Sequence, residues 1–280
     1  MNRINKLFLE KQKDILSVYF TAGFPNLNDT VAIINELENS GVDMIEIGMP
    51  FSDPLADGPT IQRSSEIALE NGMTIKLLFE QIKNIRINPP SNTNAIASPL
   101  SRGNSSEIPL ILMGYLNPVL QYGVEQFCKD AASLGISGVI LPDLPLQEYL
   151  DEYKSIFEKY NLKNIFLITP QTSDERIRLI DEHSDGFIYM VSSASTTGTK
   201  SEIGVEQEKY FKRIQTMKLK NPIVIGFGIS DKKTFSKACE YANGAIIGSA
   251  FIKTIDGSKD LKKSISGFVD GVWSFAKTHP

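Results

Sequence analysis

The sequence predicts an α/β protein folded as a single (β/α)8 TIM barrel over residues 1–280, preceded by an N-terminal helix. Eight apolar segments alternate with segments of helical periodicity, and eight such units in about 250 residues are typical of this barrel. The apolar segments are nearly continuous, as expected for parallel strands buried on both faces. An open doubly wound sheet is the alternative, but TAGFPN after the first strand lacks its glycine-rich dinucleotide fingerprint.

Each element follows from local signals in chain order. The predicted strands cover residues 15–23, 44–51, 109–115, 138–144, 164–170, 187–193, 222–230 and 244–251. The predicted helices cover residues 2–13, 28–40, 60–71, 74–87, 123–134, 147–160, 174–182, 203–217, 231–241 and 258–277. Ser173 is predicted to cap the start of a helix, and Gly41, Gly72 and Gly135 to follow helix ends.

Residues 88–107 interrupt this alternation with an Asn-, Ser- and Pro-rich segment that has no periodicity. We expect an exposed insertion of disordered composition between a helix and the third strand. A domain boundary is the competing interpretation for so long a loop. Because the strand–helix alternation continues undisturbed on both sides, we favour an insertion on the face of the barrel away from the chemistry.

The composition argues against several classes of function. The net charge is −4 without a basic block, so nucleic acid is a poor partner. No apolar run reaches the roughly 20 residues that span a bilayer, and the N-terminus does not resemble a signal peptide, so we expect a cytoplasmic protein. Cys128 and Cys239 are expected to be buried thiols. Neither His183 nor His279 has a metal-ligand companion nearby, so no metal site is predicted.

Four carboxylates lie near the carboxyl ends of predicted strands, where such barrels place their active sites. Glu46 is the most informative, because it lies inside an apolar strand and the predicted strands contain no Lys or Arg to neutralise it. We therefore expect it to be a general acid–base with a raised pKa. For Asp57, function and ordinary turn chemistry remain open. Asp53 and Asp143 are expected to have turn or structural roles.

Two further groups of residues follow the late strands and line the predicted mouth. Small residues that would let backbone N–H groups bind a phosphate are Thr196, Thr197, Gly198, Gly226, Gly228, Gly248 and Ser249. Apolar and aromatic residues that would receive a flat apolar ligand are Phe20, Tyr115, Ile168 and Tyr189. Together these residues predict an enzyme that acts on a phosphorylated, partly apolar small molecule by acid–base chemistry from Glu46.

Six motifs in the expected order resemble the tryptophan synthase alpha subunit family over essentially the whole chain. They are IEIGMPFSDPLADGPTIQ (45–62), LMGYLNPV (112–119), LPDLPLQE (141–148), VSSASTTG (191–198), GFGIS (226–230) and GSAF (248–251). The first motif is highly specific, whereas the glycine motifs alone would be weak. The resemblance implies an aldolase-like lyase that cleaves 1-(indol-3-yl)glycerol 3-phosphate to indole and glyceraldehyde 3-phosphate.

The resemblance also implies a role for each matching position. Glu46 matches the catalytic acid–base, and Asp57 matches the residue that accepts a hydrogen bond from the indole N–H. The residues that match the phosphate site are Gly198, Gly228, Gly248 and Ser249, and those that match the indole pocket and its surroundings are Phe20, Tyr115, Ile168 and Tyr189. Whether Glu46 also removes the glycerol hydroxyl proton stays open.

The family works as an α2β2 heterotetramer, in which a pyridoxal-phosphate beta subunit uses the indole. Asp53 and Thr197 match loops that close the site and face this partner, and the resemblance implies no cofactor in this chain. Ser193 departs from the family, since some members carry Arg there. The alternatives are a stand-alone lyase that releases free indole, a non-catalytic activator of the beta subunit and an unrelated phosphosugar isomerase.

Overall fold

The computed structural model describes residues 1–87, 108–192 and 204–273. Its strands are β1 (Ile15–Thr21), β2 (Met44–Gly48), β3 (Leu110–Met113), β4 (Ile136–Ile140), β5 (Lys163–Ile165), β6 (Leu167–Ile168), β7 (Ile188–Val191), β8 (Ile223–Gly226) and β9 (Gly244–Ile247). The strands are parallel and form one sheet in the order β5-β4-β3-β2-β1-β9-β8-β7-β6. The two ends of this order, β5 and β6, are consecutive in the chain, so the sheet curls into a nearly closed barrel.

The predicted barrel is confirmed, with one difference at the fifth strand. That strand is divided at Phe166: its first part, β5, pairs with β4, and its second part, β6, pairs with β7. The Phe166 carbonyl still accepts a hydrogen bond from the Tyr189 amide at 2.9 Å. The barrel wall is therefore continuous along the chain at this point, although no single strand pairs with both neighbours over its length.

Helices surround the sheet. They are α1 (Arg3–Glu10), α2 (Asp29–Asn39), α3 (Pro59–Glu70), α4 (Ile75–Ile87), α5 (Leu116–Tyr122), α6 (Val124–Ser133), α7 (Leu146–Glu148), α8 (Lys154–Lys159), α9 (Asp174–His183), α10 (Val205–Thr216), α11 (Lys232–Cys239), α12 (Ser249–Ile255) and α13 (Leu261–Trp273). A π-helical turn over Tyr149–Tyr153 joins α7 to α8. Ser173 caps α9 as predicted, since its hydroxyl accepts a hydrogen bond from the Arg176 amide at 3.2 Å. None of the described helices combines the length and apolar character that crossing a membrane requires.

Two short helices were not predicted, and both lie on the rim where the strands end. The sequence predicts a strand that ends at residue 115 and no element over residues 116–122, but the Asp143 carboxylate accepts hydrogen bonds from the Leu116 amide at 2.9 and 3.1 Å and so caps α5. The predicted eighth strand stops at Ile247, and its last residues belong to α12 instead. Residues 88–107 lie outside the described part of the chain.

Alternate residues of each strand fill the barrel interior, because successive side chains point to opposite faces of the sheet. Residues that pair in register on neighbouring strands share a face. The Ser17 hydroxyl donates a hydrogen bond to Glu46 Oε1 at 2.9 Å, so both side chains lie on one face of the sheet. This face is the inner one, because the charge of Glu46 acts on the Tyr189 hydroxyl of β7, which lies across the barrel. Tyr19 pairs in register with Glu46, and Thr21 pairs with Gly48. The outward side chains pack against the helices in one continuous apolar core. The inward residues near the carboxyl ends of the strands are therefore the ones available to a ligand.

Candidate active site

Glu46 is a buried carboxylate in the wall of the barrel with few groups to stabilise its charge. Its side chain is fully buried, and its Oε1 atom accepts the hydrogen bond from Ser17. Its Oε2 atom has no hydrogen-bond partner among the described residues. Burial raises the pKa of Glu46 to about 8, against the opposing effect of the Ser17 hydrogen bond. With this pKa the carboxyl group is mostly protonated at neutral pH, and its second oxygen is buried without a hydrogen-bond partner among the described residues.

Asp57 lies in the loop between β2 and α3 and is positioned by Tyr115. The Tyr115 hydroxyl donates to Asp57 Oδ2 at 3.2 Å and accepts a hydrogen bond from the Ala56 amide at 3.1 Å. The Gln62 side-chain Nε2 donates to the Asp57 backbone carbonyl at 2.9 Å and so holds the loop from the side of α3. Burial raises the pKa of Asp57 to about 6, although the hydrogen bond from Tyr115 lowers it. Asp57 is therefore mostly ionised at neutral pH, whereas Glu46 is mostly protonated.

Asp57 and Tyr115 line a narrow cavity at the mouth of the barrel. The other residues around it are largely apolar, and they are Tyr19, Met49, Phe51, Pro54, Ser65, Met113, Gly114 and Pro142. The rings of Phe51 and Tyr115 lie with their centroids 5.1 Å apart. An apolar cleft with one ionised oxygen on its wall is suited to a flat ligand that carries a single hydrogen-bond donor.

Two of the residues predicted for this pocket lie on the outer face of the barrel. Phe20 is the neighbour of Tyr19, which shares a face with Glu46, so Phe20 points to the helical layer. Ile168 pairs with Met190, whereas Leu167 pairs with Tyr189. The inward residues are therefore Tyr19 and Leu167. A shift of one residue exchanges the faces of a strand, and a fully apolar run gives no sign of which residues point inward.

Tyr189, which the sequence predicts for the pocket, packs over a glycine of the next strand. A Cβ atom at Gly226 would lie 2.1 Å from the Tyr189 hydroxyl oxygen. The same arrangement occurs on the other side of the barrel, where a Cβ at Gly48 would lie 2.1 Å from the Tyr19 hydroxyl oxygen. Each tyrosine thus leans over a neighbouring strand that must carry glycine.

The predicted phosphate-binding residues divide between described and undescribed parts of the chain. Gly228 has a φ of +75° and follows Phe227, whose carbonyl accepts a hydrogen bond from the Ser192 hydroxyl. Gly248 and Ser249 start α12, whose first amides have no acceptors within the helix. The ends of β8 and β9 therefore bring these backbone groups to one side of the rim. Gly198, Thr196 and Thr197 lie outside the described residues, as does Ser193.

The remaining carboxylates have structural contacts on the same rim. Asp53 is exposed, and the Ser52 hydroxyl donates to its carboxylate. Asp143 caps α5, which agrees with the structural role expected for it. The described residues contain no group of three or more His, Cys, Asp or Glu side chains arranged to hold a metal ion.

The sequence interpretation missed three inward residues, Ser17, Tyr19 and Leu167. Ser17 could have been found, since a polar residue in an apolar strand needs a partner and the carboxylate of Glu46 is the obvious one. Tyr19 then follows, because it lies two residues further along the same strand. No comparable polar residue marks the inward face of the fifth strand, so Leu167 carried no signal.

Comparisons with known proteins agree with this geometry. The family model described as tryptophan synthase alpha chain matches residues 6–270. The tryptophan synthase alpha chain of Flavobacterium johnsoniae is 62% identical over 258 residues, which cover 92% of this chain and 95% of that protein. The alpha chain of Flavobacterium psychrophilum is 60% identical over 273 residues, covering 98% of this chain and all of that protein (100%).

Solved structures give the same result. The crystal structure of the tryptophan synthase alpha chain from Legionella pneumophila superposes with a TM-score of 0.82 at 32% identity, covering 98% of this chain and 97% of that one. A chain of tryptophan synthase from M. tuberculosis in an aminoacrylate-bound form superposes with a TM-score of 0.79 at 27% identity, covering 97% and 98%. On the combined sequence and structural similarity, the chain belongs to the tryptophan synthase alpha chain family.

Proposed function

We propose that Glu46 and Asp57 carry the reaction of this chain, the cleavage of 1-(indol-3-yl)glycerol 3-phosphate to indole and glyceraldehyde 3-phosphate. The alpha chain family is a lyase of this type and serves tryptophan biosynthesis. The observation that carries the assignment is a protonated, buried Glu46 whose Oε2 has no partner among the described residues, together with an ionised Asp57 on the cavity at the mouth of the same barrel. One group is poised to give a proton and the other to stabilise positive charge.

The first step adds a proton to C3 of the indole. Without it, breaking the bond from C3 to the glycerol carbon would leave an unstable carbanion on C3. Glu46 supplies this proton from Oε2. The ring then carries positive charge, and its N–H becomes a stronger hydrogen-bond donor. The Asp57 carboxylate accepts that hydrogen bond and stabilises the charged intermediate.

The second step breaks the carbon–carbon bond and returns the proton. The glycerol hydroxyl on the adjacent carbon loses its proton as the carbonyl of glyceraldehyde 3-phosphate forms. The bonding electrons return to the indole ring and neutralise its charge. The Glu46 carboxylate left by the first step is a base at the right place, and accepting this proton restores its starting state. One residue therefore serves both transfers with no net gain or loss of protons.

Binding is divided between the two sides of the mouth. The indole ring packs between Tyr19, Tyr115, Leu167 and Tyr189. Tyr19 and Leu167 replace Phe20 and Ile168 in this proposal, because they are the inward residues of their strands. The phosphate binds backbone N–H groups of Gly228, Gly248 and Ser249, together with Gly198. Amide dipoles supply the positive potential, because the sequence places no Lys or Arg within these glycine clusters.

The family implies a tryptophan synthase beta-subunit partner. We propose an α2β2 heterotetramer in the cytoplasm, in which the beta subunit holds pyridoxal phosphate and consumes the indole, while this chain uses no cofactor. The loop of Asp53 and the segment of Thr197 would face this partner. An exposed side chain in the first loop, Leu55, with 88% of its surface accessible, supports a contact there.

The test is indole release from 1-(indol-3-yl)glycerol 3-phosphate by this chain, with and without the beta subunit of the same organism. We expect slow release alone and strong stimulation by the partner. High turnover alone without stimulation would instead support a stand-alone lyase that releases free indole. No release in either case would contradict the proposed reaction.

A further inference from the structure

Tyr19 connects the two ends of the proposed site. Only 8% of its surface is accessible. The tip of its ring lies over Gly48, two residues beyond Glu46, whereas the base of the ring faces Gly248, where an added Cβ would lie 3.4 Å from Tyr19 Cδ1. The ring therefore spans from the strand of the acid–base to the glycine assigned to the phosphate. A ligand that joins these two points must pass along this ring.

The Tyr19 hydroxyl begins a chain of hydrogen bonds whose direction is fixed by the number of available protons. The Ser64 hydroxyl has one hydrogen and donates it to the Ile61 carbonyl at 2.8 Å. Thr21 must therefore donate to Ser64 across their 2.6 Å contact. Tyr19 must then be the donor in its 3.5 Å contact with Thr21, which is long for a hydrogen bond between hydroxyl groups.

This chain leaves the Tyr19 oxygen with spare hydrogen-bonding capacity. Tyr19 lines the cavity that also contains Asp57 and Tyr115, and within the described part of the chain its hydroxyl makes only the long contact with Thr21. A phenol oxygen has acceptor lone pairs besides its O–H, and neither lone pair is used in the chain to Ser64. A hydroxyl group of a bound ligand would supply the donor that this buried oxygen lacks.

We propose that the Tyr19 hydroxyl binds a hydroxyl group of the substrate's glycerol moiety and so selects for a hydroxylated chain between the ring and the phosphate. The inference rests on the proposed function and adds a specificity-determining residue to it. Tyr19 does not remove the proton, because burial and the nearby carboxylates Asp57 and Glu46 hold the pKa of its phenol far above the ordinary value. Its part is to orient the glycerol chain while Glu46 transfers protons.

The experiment compares two ligands on the complex of the full chain with its beta subunit. One ligand is 1-(indol-3-yl)glycerol 3-phosphate, and the other is 3-(indol-3-yl)propyl phosphate, which has the same ends but lacks both hydroxyls. In Tyr19→Phe we expect kcat/KM for the substrate to fall about tenfold, the effect of one hydrogen bond. The Kd of the propyl phosphate, measured by calorimetry, should stay within twofold. Tyr122→Phe is the matched control, because that hydroxyl donates to Asp130 outside the site.

The outcomes separate this inference from the proposed function. Unchanged kcat/KM in Tyr19→Phe, or an equal loss for both ligands, would overturn the role of the hydroxyl while leaving the lyase reaction in place. Failure of the wild-type complex to cleave the substrate would instead overturn the proposed function and this inference with it. Unchanged propyl phosphate binding also shows that the variant is folded.

Discussion

Asp43 and Glu46 are buried carboxylates only three residues apart, the first directly before β2 and the second at the centre of that strand, and their surroundings differ completely. Asp43 precedes the strand, has 8% of its surface accessible, and accepts hydrogen bonds from Lys11 Nζ at 2.6 Å and the Leu16 amide at 2.8 Å. Glu46 is fully buried and accepts a hydrogen bond from Ser17 alone among the described residues. The carboxylate before the strand therefore has a cation and a backbone amide as partners, whereas the carboxylate at its centre has one hydroxyl group.

The difference separates a structural carboxylate from a reactive one. Burial raises the pKa of Asp43, but the charge and hydrogen bond of Lys11 and the Leu16 amide act against that rise. No cation of the described residues acts on Glu46, so burial dominates and its pKa rises to about 8. A buried carboxylate with a full set of partners contributes to stability, whereas one with an unused oxygen costs stability and is available for chemistry.

Replacing Glu46 should give the largest effect on function. Glu46→Gln keeps the shape and the Ser17 contact but removes the proton donor, so we expect kcat to fall by about 10³- to 10⁴-fold. Steady-state kinetics of indole release measures it, with the Kd of 3-(indol-3-yl)propyl phosphate as the control for an intact site. Turnover near the wild-type value would remove the distinction drawn between the two carboxylates.

The hydrogen bond from Tyr115 to Asp57 should appear in the pH profile. Cleavage requires ionised Asp57 and protonated Glu46, so kcat/KM should be bell-shaped with limbs near pH 6 and pH 8. In Tyr115→Phe the hydrogen bond that lowers the pKa of Asp57 is lost, so the acidic limb should move to higher pH. The alkaline limb should not move, since Tyr115 has no hydrogen bond to Glu46 in the described structure. An unshifted acidic limb would mean that Tyr115 only fills space.

The free energy of unfolding should depend more on Asp43 than on Glu46, the reverse of their effects on activity. Asp43→Asn leaves Lys11 without its anionic partner and should lower the free energy of unfolding by about 1–3 kcal/mol, with kcat within twofold of wild type. Glu46→Gln should not destabilise the barrel. Because native Glu46 retains a proton that the unfolded chain releases above its ordinary pKa, wild type should lose stability relative to Glu46→Gln as the pH rises to about 8. Urea unfolding at several pH values tests both variants, and a destabilised Glu46→Gln at pH 8 would contradict the contrast.

The smallest effect on turnover is expected from deleting part of residues 88–107, which precede β3 in the chain as Asp43 precedes β2. Residues 88–107 connect Ile87, at the end of α4, to β3 on its amino-terminal side, away from the proposed site. We therefore propose that they form an insertion in a single domain and take no part in catalysis. Deletion of residues 90–105 should leave kcat within a few-fold of wild type. A folded but inactive deletion variant would show that this segment also serves the reaction.

The sequence allowed the barrel and its central carboxylate to be predicted for the same reason. A strand buried on both faces has an almost continuously apolar sequence, and eight such runs predict the barrel. A Glu inside such a run, with no basic residue in any predicted strand to pair with it, is costly to bury and therefore indicates a function. The same uniform burial concealed which residues point inward. Phe20 and Tyr19, or Ile168 and Leu167, are equally apolar or aromatic, and only the register of neighbouring strands distinguishes them.

The other features that the sequence did not predict depend on contacts between distant segments. α5 begins at the end of a strand-like run because Asp143, from the following strand–helix loop, accepts its first amide hydrogen bond. The hydrogen bond from Tyr115 to Asp57 joins the loops that follow β3 and β2, and these two residues are 58 positions apart in the chain. Local propensity contains no information on either contact, since each exists only once the barrel has closed.

The most direct measurement is the titration of the Glu46 carboxyl group by NMR of protein labelled with ¹³C at the Glu side-chain carboxyl carbons. Comparison with Glu46→Gln assigns the signal. We predict an apparent pKa of about 8, so that the group is mostly protonated at pH 7 while Asp57, labelled likewise, titrates near 6. A Glu46 signal that titrates near 4.5, the ordinary value, would show that the centre of β2 holds a stabilised anion and no proton donor.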